Sequence, residues 1–114
     1  MQVNQASFDN ANSVVEEKLK RFPNSVSLLN IAGAIKAQMG EYVGALPLLE
    51  RAIGINANSK EVLCNLGATY HALGRNDAAI DSYKSALKIS PNEKGTHFNL
   101  GNCLRIQGDI QAAE

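Results

Sequence analysis

The side chains that could do chemistry are few. His71 and His97 are the two histidines, and Cys64 and Cys103 the two cysteines, of 114 residues. No Cys-x2-Cys or His-x3-His spacing is present, so no metal site and no cofactor are expected. Two cysteines are too few for a disulfide framework, which fits a reducing, cytoplasmic compartment. The run Gly40–Gly44 lacks the phosphate-cradling pattern and a following Lys-Ser/Thr. Catalysis needs polar groups converging on a reacting atom. None is legible, and the chain reads as a non-enzyme. What stands out is a set of amides: Asn65, Asn99, and Asn102 one helical turn beyond Asn99. An amide donates and accepts, so a row of them can hold the backbone of an extended peptide without reading its sequence.

The interval between Asn65 and Asn99 runs through the whole chain. Gly33, Gly67 and Gly101 share it, as do Gly40, Gly74 and Gly108. Ala45, Ala79 and Ala113 keep the same register, and so do Ala52 and Ala86. Pro23 and Pro91 are two periods apart, with Ala57 midway. Several columns of small residues in one register mean an internal repeat.

Each repeat has a helix-turn-helix pattern, clearest from Lys60 to Glu93. Val62, Leu63, Leu66, Tyr70 and Leu73 fall at helical spacing. Gly74 suits a left-handed turn. Asn76 or Asp77 can cap the next helix, which carries Ala79, Ile80, Tyr83, Ala86, Leu87 and Ile89. Pro91 ends it, because the residue before a proline is biased away from helix. Helices are expected near 8–21, 26–39, 41–55, 60–73, 76–89 and 94–107, with another starting near 110 after Gly108. Pro47 falls inside the third, where a bend rather than a break is expected, since Leu46, Leu48, Leu49 and Ile53 keep the apolar stripe continuous. The small columns predict close helix approach at Gly67 and again at Gly101, so a leucine at either should overpack.

Leu63-x2-Leu66-Gly67-x2-Tyr70, then Ala79-x3-Tyr83, then Pro91, resembles the tetratricopeptide repeat (TPR), whose pattern within one repeat is W-x2-L-G-x2-Y, A-x3-F, P. The copy from Val26 to Ser59 keeps Leu29, Gly33, Gly40, Ala45, Leu49 and Ala52, but has Ala32, Lys36 and Ala57 in the leucine, tyrosine and proline columns. From Phe8 to Arg21 the chain matches a second helix: Ala11, Val15 and Leu19 align with Ala45, Leu49 and Ile53, while Lys18 occupies a small-residue column. The resemblance implies an all-α, right-handed α-solenoid. It divides the chain into a tail at 1–7, the second helix of a partial repeat at 8–25, repeats at 26–59 and 60–93, and a truncated repeat at 94–114. The ending of 108–114 after about one helical turn suggests a piece of a longer protein.

In such solenoids the first helices line the concave side. The outward positions are Ser27, Asn30, Ile31, Ala34 and Gln38; then Glu61, Cys64, Asn65, Ala68 and His71; then Gly95, Phe98, Asn99, Asn102 and Arg105. The candidate peptide-binding residues are Asn30, Asn65, His71, Phe98, Asn99, Asn102 and Arg105. The amides resemble the asparagine ladder of TPR superhelices such as O-linked N-acetylglucosamine transferases, interrupted at Ile31. His97 stands in the column of Leu29 and Leu63 and reads as a core-edge residue. Cys103 reads as packed, and Cys64 as facing the groove. Chaperone-binding members grip a C-terminal carboxylate with lysines, asparagines and an arginine. Here Asn30, Ala34, Gly95 and Asn99 depart from that set and Asn65 matches it, which argues against such a clamp.

Lysine plus arginine equal aspartate plus glutamate at 11 each, which argues against a nucleic-acid surface. No apolar run is long enough to span a membrane. The expected function is a protein-interaction module that takes a partner protein or an extended peptide. The alternative is an N-terminal substrate-recognition arm of a bacterial glycosyltransferase or sulfotransferase, with its catalytic domain beyond residue 114. Weak self-association through residues 94–114 is also expected, because the last helix carries apolar residues that want a partner.

Overall fold

The computed structural model describes residues 5–113. Its six α-helices are α1 (Gln5–Arg21), α2 (Val26–Gln38), α3 (Tyr42–Ile55), α4 (Lys60–Ala72), α5 (Asn76–Ile89) and α6 (Lys94–Ala113). No β-strand occurs among the described residues. Contacts divide the chain into two compact units, one ending at Ala57 and the other beginning at Asn58.

In the first unit α2 packs against α1 and α3. Ser25 caps α2, its hydroxyl accepting from the Leu28 amide at 3.3 Å. Gly40, at φ 79°, turns the chain back: the Glu41 amide donates to the Lys36 carbonyl at 2.8 Å and the Gly40 amide to that of Ala37 at 3.0 Å. This pair of bonds satisfies carbonyls that a helix end would otherwise leave open. Pro47 lies in an unbroken α3, as its stripe requires, for Ala45, Leu46, Leu49 and Ala52 are all buried. Gly33 shows why its column is small. A Cβ there would stand 2.6 Å from Leu49 Cγ. Lys18, where its column has Ala52 and Ala86, is exposed, whereas those two alanines are buried. Lys36, in the tyrosine column, reaches Glu16 and Glu41 at 3.8 Å each.

The second unit repeats the device. Ser59 caps α4 through the Val62 amide at 3.4 Å. Gly74 turns at φ 77°, with the Arg75 amide donating to the Tyr70 carbonyl at 2.8 Å. α5 packs on both α4 and α6. Its Ala79, Ile80 and Tyr83 join Leu100 and Cys103 in one buried cluster. A Cβ on Gly67 would stand 2.6 Å from Tyr83 Cε1. Burial of this ring pushes its phenol up to about 12, because the charged form would lose its hydration.

Four expectations are corrected here. α6 runs straight through Gly108 to Ala113, so no new helix starts near 110. A turn at Gly40 or Gly74 is followed by a return helix that packs on the one before. Only residues 109–113 follow Gly108 among the described residues, too few to repeat that packing, so continuing the helical ladder wins. Gly101 is not a packing contact either: a Cβ there meets nothing within 4 Å. Asn76 and Asp77 do not cap α5, whose N-cap is Arg75 with no side-chain cap bond. Asn76 instead donates to the Cys103 carbonyl at 2.8 Å, and Asp77 accepts from Gln107 at 2.9 Å. Of the expected tail at 1–7, Gln5 to Ser7 are helical, and residues 1–4 lie outside the described residues, as does Glu114.

Candidate peptide-binding face

The second unit carries most of the candidate residues on two neighbouring helices. α4 turns Val62, Leu63, Leu66, Gly67 and Thr69 inward. Buried on α6 are Thr96, Leu100 and Cys103. The other side of each helix is the one projected from the sequence. On α4, Glu61, Ala68 and His71 are exposed, with Cys64 and Asn65 half-buried. On α6, Gly95, Phe98, Asn99 and Arg105 are exposed, with Asn102 half-buried. Phe98 is 69% exposed, unusual for so large an apolar side chain.

Three contacts tie α4 to α6 or to Glu93, the residue before it. Lys60 Nζ meets Glu93 Oε1 at 2.7 Å. Cys64 Sγ lies 3.4 Å from Thr96 Oγ1, and Cys103 Sγ 3.6 Å from His71 Nδ1. The first contact raises the Lys60 ammonium above its ordinary range and lowers the Glu93 carboxyl, each through the hydrogen bond and charge of the other. The Cys103 thiol is pushed up by burial, as expected of a thiol packed in a core. Cys64 is half-buried against α6, partly withdrawn from the groove it was expected to face.

His71 is exposed as expected. His97 is not at a core edge: it is exposed, with its Nε2 2.7 Å from the Pro91 carbonyl. Leu63 in the same column is covered because α5 packs on α4, and no helix lies on the corresponding side of α6 among the described residues. Thr69 donates to the Asn65 carbonyl at 2.7 Å, which anchors that turn of α4. Asn30 stands in the first unit on α2, half-buried beside the 46% exposed Ile31.

The result is a mixed polar surface that carries the exposed aromatic Phe98, the acidic Glu61 on α4 and the basic Arg105 on α6. No group of three metal-ligating side chains occurs among the described residues. No helix among them is long and apolar enough to cross a membrane. A separate cleft of about 450 Å³ lies between the start of α5 and the end of α6, lined by Arg75, Asp77, Gln107 and Ile110 among others. None of the candidate residues lines it. Sequence reasoning missed Thr96 and the Asn76–Cys103 bond. The contacts from α4 to α6 join positions that fall just short of a full period, so a search along columns passes them by.

Comparison with known proteins agrees with the geometry. The tetratricopeptide repeat family profile matches residues 61–93. Small glutamine-rich tetratricopeptide repeat-containing protein 2 of Mycosarcoma maydis is 34% identical over 73 residues, which cover 64% of this chain and 21% of that protein. The chain therefore spans about a fifth of that relative's length. A solved structure of MamA (MSR-1) superposes with a TM-score of 0.80 at 29% identity, covering 94% of this chain and 62% of that one. The first TPR of Spaghetti (RPAP3), solved with the HSP90 peptide SRMEEVD, superposes at 0.88 with 17% identity, covering 91% and 82%. That last likeness bears on the fold alone. With its constant repeat period, paired helices closed by Gly40 and Gly74, and these matches, the chain belongs to the tetratricopeptide-repeat family, all-α and of the TPR solenoid class.

Proposed function

We propose that this chain is a protein-interaction module whose α4/α6 face holds an extended segment of a partner protein. One observation supports this above the others. The amides Asn65, Asn99 and Asn102, the exposed Phe98, the imidazole of His71 and the guanidinium of Arg105 lie on the sides of α4 and α6 turned away from the core, on two helices tied to each other by side-chain contacts. The amides would meet peptide backbone groups, which carry one donor and one acceptor per residue. Phe98 would lie against an apolar or aromatic side chain of the segment. Arg105 would favour a carboxylate at the basic end.

A fold neighbour holds an HSP90 peptide, which supports the suitability of the architecture for peptides. The segment proposed here is an internal one, because Ala34 stands where the chaperone-binding members have an asparagine, and Gly95 and Asn99 where they have the two cationic groups that grip a C-terminal carboxylate. Both thiols are free, which suits a cytoplasmic setting. No observation among the described residues favours the alternative of an arm serving a transferase.

The test is selection of binders from a random peptide library, followed by NMR shift mapping on the labelled chain. Selected peptides should shift residues 61–71 and 98–105. Asn65→Ala with Asn99→Ala should weaken binding at least tenfold without changing the melting temperature by more than a few degrees. Shifts confined to α5, or unchanged affinity in the double variant, would refute the assignment.

A further inference from the structure

We propose that Cys103 fixes the tautomer of His71, so that this histidine offers the peptide face a single donor, Nε2–H, and takes an oxygen acceptor of the bound segment. The inference rests on the peptide-binding reading of α4 and α6 and adds a polarity at one position. His71 is exposed in the last turn of α4, and its Nδ1 lies 3.6 Å from Cys103 Sγ on α6. Core packing holds the sulfur in place. Cys103 is 1% exposed and packed with Ala79, Ile80, Tyr83 and Leu100, and Asn76 of α5 donates to its carbonyl at 2.8 Å. The thiol is thus the anchor of the pair, and the ring is its outer member.

One hydrogen lies between the two atoms, and its owner can be worked out. A thiol donates S–H and accepts only weakly, while a neutral imidazole has one N–H and one bare nitrogen. The bare nitrogen is the better acceptor of the two atoms. The thiol also keeps its proton, since burial penalises the thiolate. Cys103 therefore donates and Nδ1 accepts, which leaves the single ring proton on Nε2. His97 is the contrast. Its Nε2 lies 2.7 Å from the Pro91 carbonyl, which can only accept, so that N–H is used within the chain. Of the two histidines, His71 is the one whose N–H is left for a partner.

The donor stands at one end of a defined stretch. Cys64 with Thr96 and His71 with Cys103 both pair α4 with α6. The two pairs are two helical turns apart, about 10 Å, the length of about three residues of extended chain. Ala68 on α4 and Asn99 on α6 lie exposed between them. A segment laid here would meet Asn99, which takes either polarity, and His71, which takes only an acceptor. The neutral ring carries no charge to select a carboxylate, so a backbone carbonyl suffices.

The test reads the tautomer in the free chain first. A long-range proton–nitrogen NMR correlation on the 15N-labelled chain tells a protonated ring nitrogen from a bare one, at about pH 8.5, where an ordinary imidazole is neutral. His71 should show Nε2 protonated and Nδ1 bare. Cys103→Val keeps an apolar side chain of similar size but has no S–H, so both nitrogen shifts should move toward the averages of two exchanging tautomers. Cys103→Ser keeps a donor and should restore the parent values. A sulfur that merely packs would leave the ring shifts unmoved in Cys103→Val. Peptides selected on the parent chain from a random library supply the second reading. His71→Gln, whose amide nitrogen stands near Nε2, should bind them about tenfold more tightly than His71→Leu, the effect of one hydrogen bond. A proton on Nδ1, ring shifts that ignore Cys103→Val, or equal binding by the two His71 variants would each overturn the proposal. A library that yields no binder refutes the peptide reading and with it the acceptor partner, whereas the shifts in the free chain still decide whether Cys103 sets the tautomer.

Discussion

Replacing Gly67 by leucine tests the central packing claim. A Cβ at this position would lie 2.6, 2.7 and 2.8 Å from three carbons of the Tyr83 ring. Relaxed carbon contacts lie at about 3.5–4.0 Å, so the ring must retreat by roughly 1 Å before the rest of the leucine is placed. Tyr83 has little room to retreat, being 3% exposed and packed among Ala79, Ile80, Leu100 and Cys103. Overpacking of this kind costs about 1–3 kcal/mol, and the removal of a helical glycine returns at most about 1 kcal/mol. A net loss of about 1–2 kcal/mol corresponds to a fall of roughly 4–12 °C in a domain of this size. Thermal unfolding followed by circular dichroism measures it, with urea titration as a second readout. Gly101→Leu is the internal control, because it carries the same chemistry into open space and should leave the melting temperature level or raised. Tyr83→Ala should shrink the penalty at Gly67, since the obstacle is gone, and the coupling between the two changes isolates their contact. Equal melting temperatures for the parent and Gly67→Leu would refute the reasoning, and so would equal penalties at Gly67 and Gly101.

Gly74→Ala forces a side chain into the left-handed conformation at φ 77° and should cost about 1–2 kcal/mol, read by the same melts. Ser59→Ala removes the hydroxyl that accepts from the Val62 amide and should cost about 0.5–2 kcal/mol, with faster hydrogen exchange in the first turn of α4. The Tyr83 phenol has its folded-state pKa raised to about 12 from the ordinary 10, so the stability it contributes is intact below pH 10 and is lost as pH climbs toward 12. Urea midpoints across that window should fall in the parent and fall less in Tyr83→Phe; equal slopes would contradict the burial of the phenol.

Much of the local structure was legible before any contact was known. Gly40 and Gly74 turn where their column predicts, because a left-handed conformation is a property of one residue and its neighbours in sequence. The helices end at Arg21 and Ile89 ahead of Pro23 and Pro91 for an equally local reason. The exposed positions of α4 and α6 followed from helical periodicity, which fixes directions around an axis. Other residues shared a column with a correctly read one and still behaved differently. Gly101 stands in the register of Gly67, and His97 in that of Leu63, yet both are open. A column states which way a residue points; whether it is buried depends on another helix lying across it. Gly108 matched Gly74 and stayed helical, since the turn holds only where a return helix packs back. Asn76 has the chemistry of a cap, but its amide reaches the Cys103 carbonyl across to α6. The pairing of Lys60 with Glu93, just before α6, and of Cys64 with Thr96 in it was likewise set by how two neighbouring helices interleave their turns. Backbone preference and periodicity act within a few positions along the chain and can be read there. Burial and side-chain pairing are decided between segments nearly a full repeat apart in sequence, where only the assembled helices determine which groups meet.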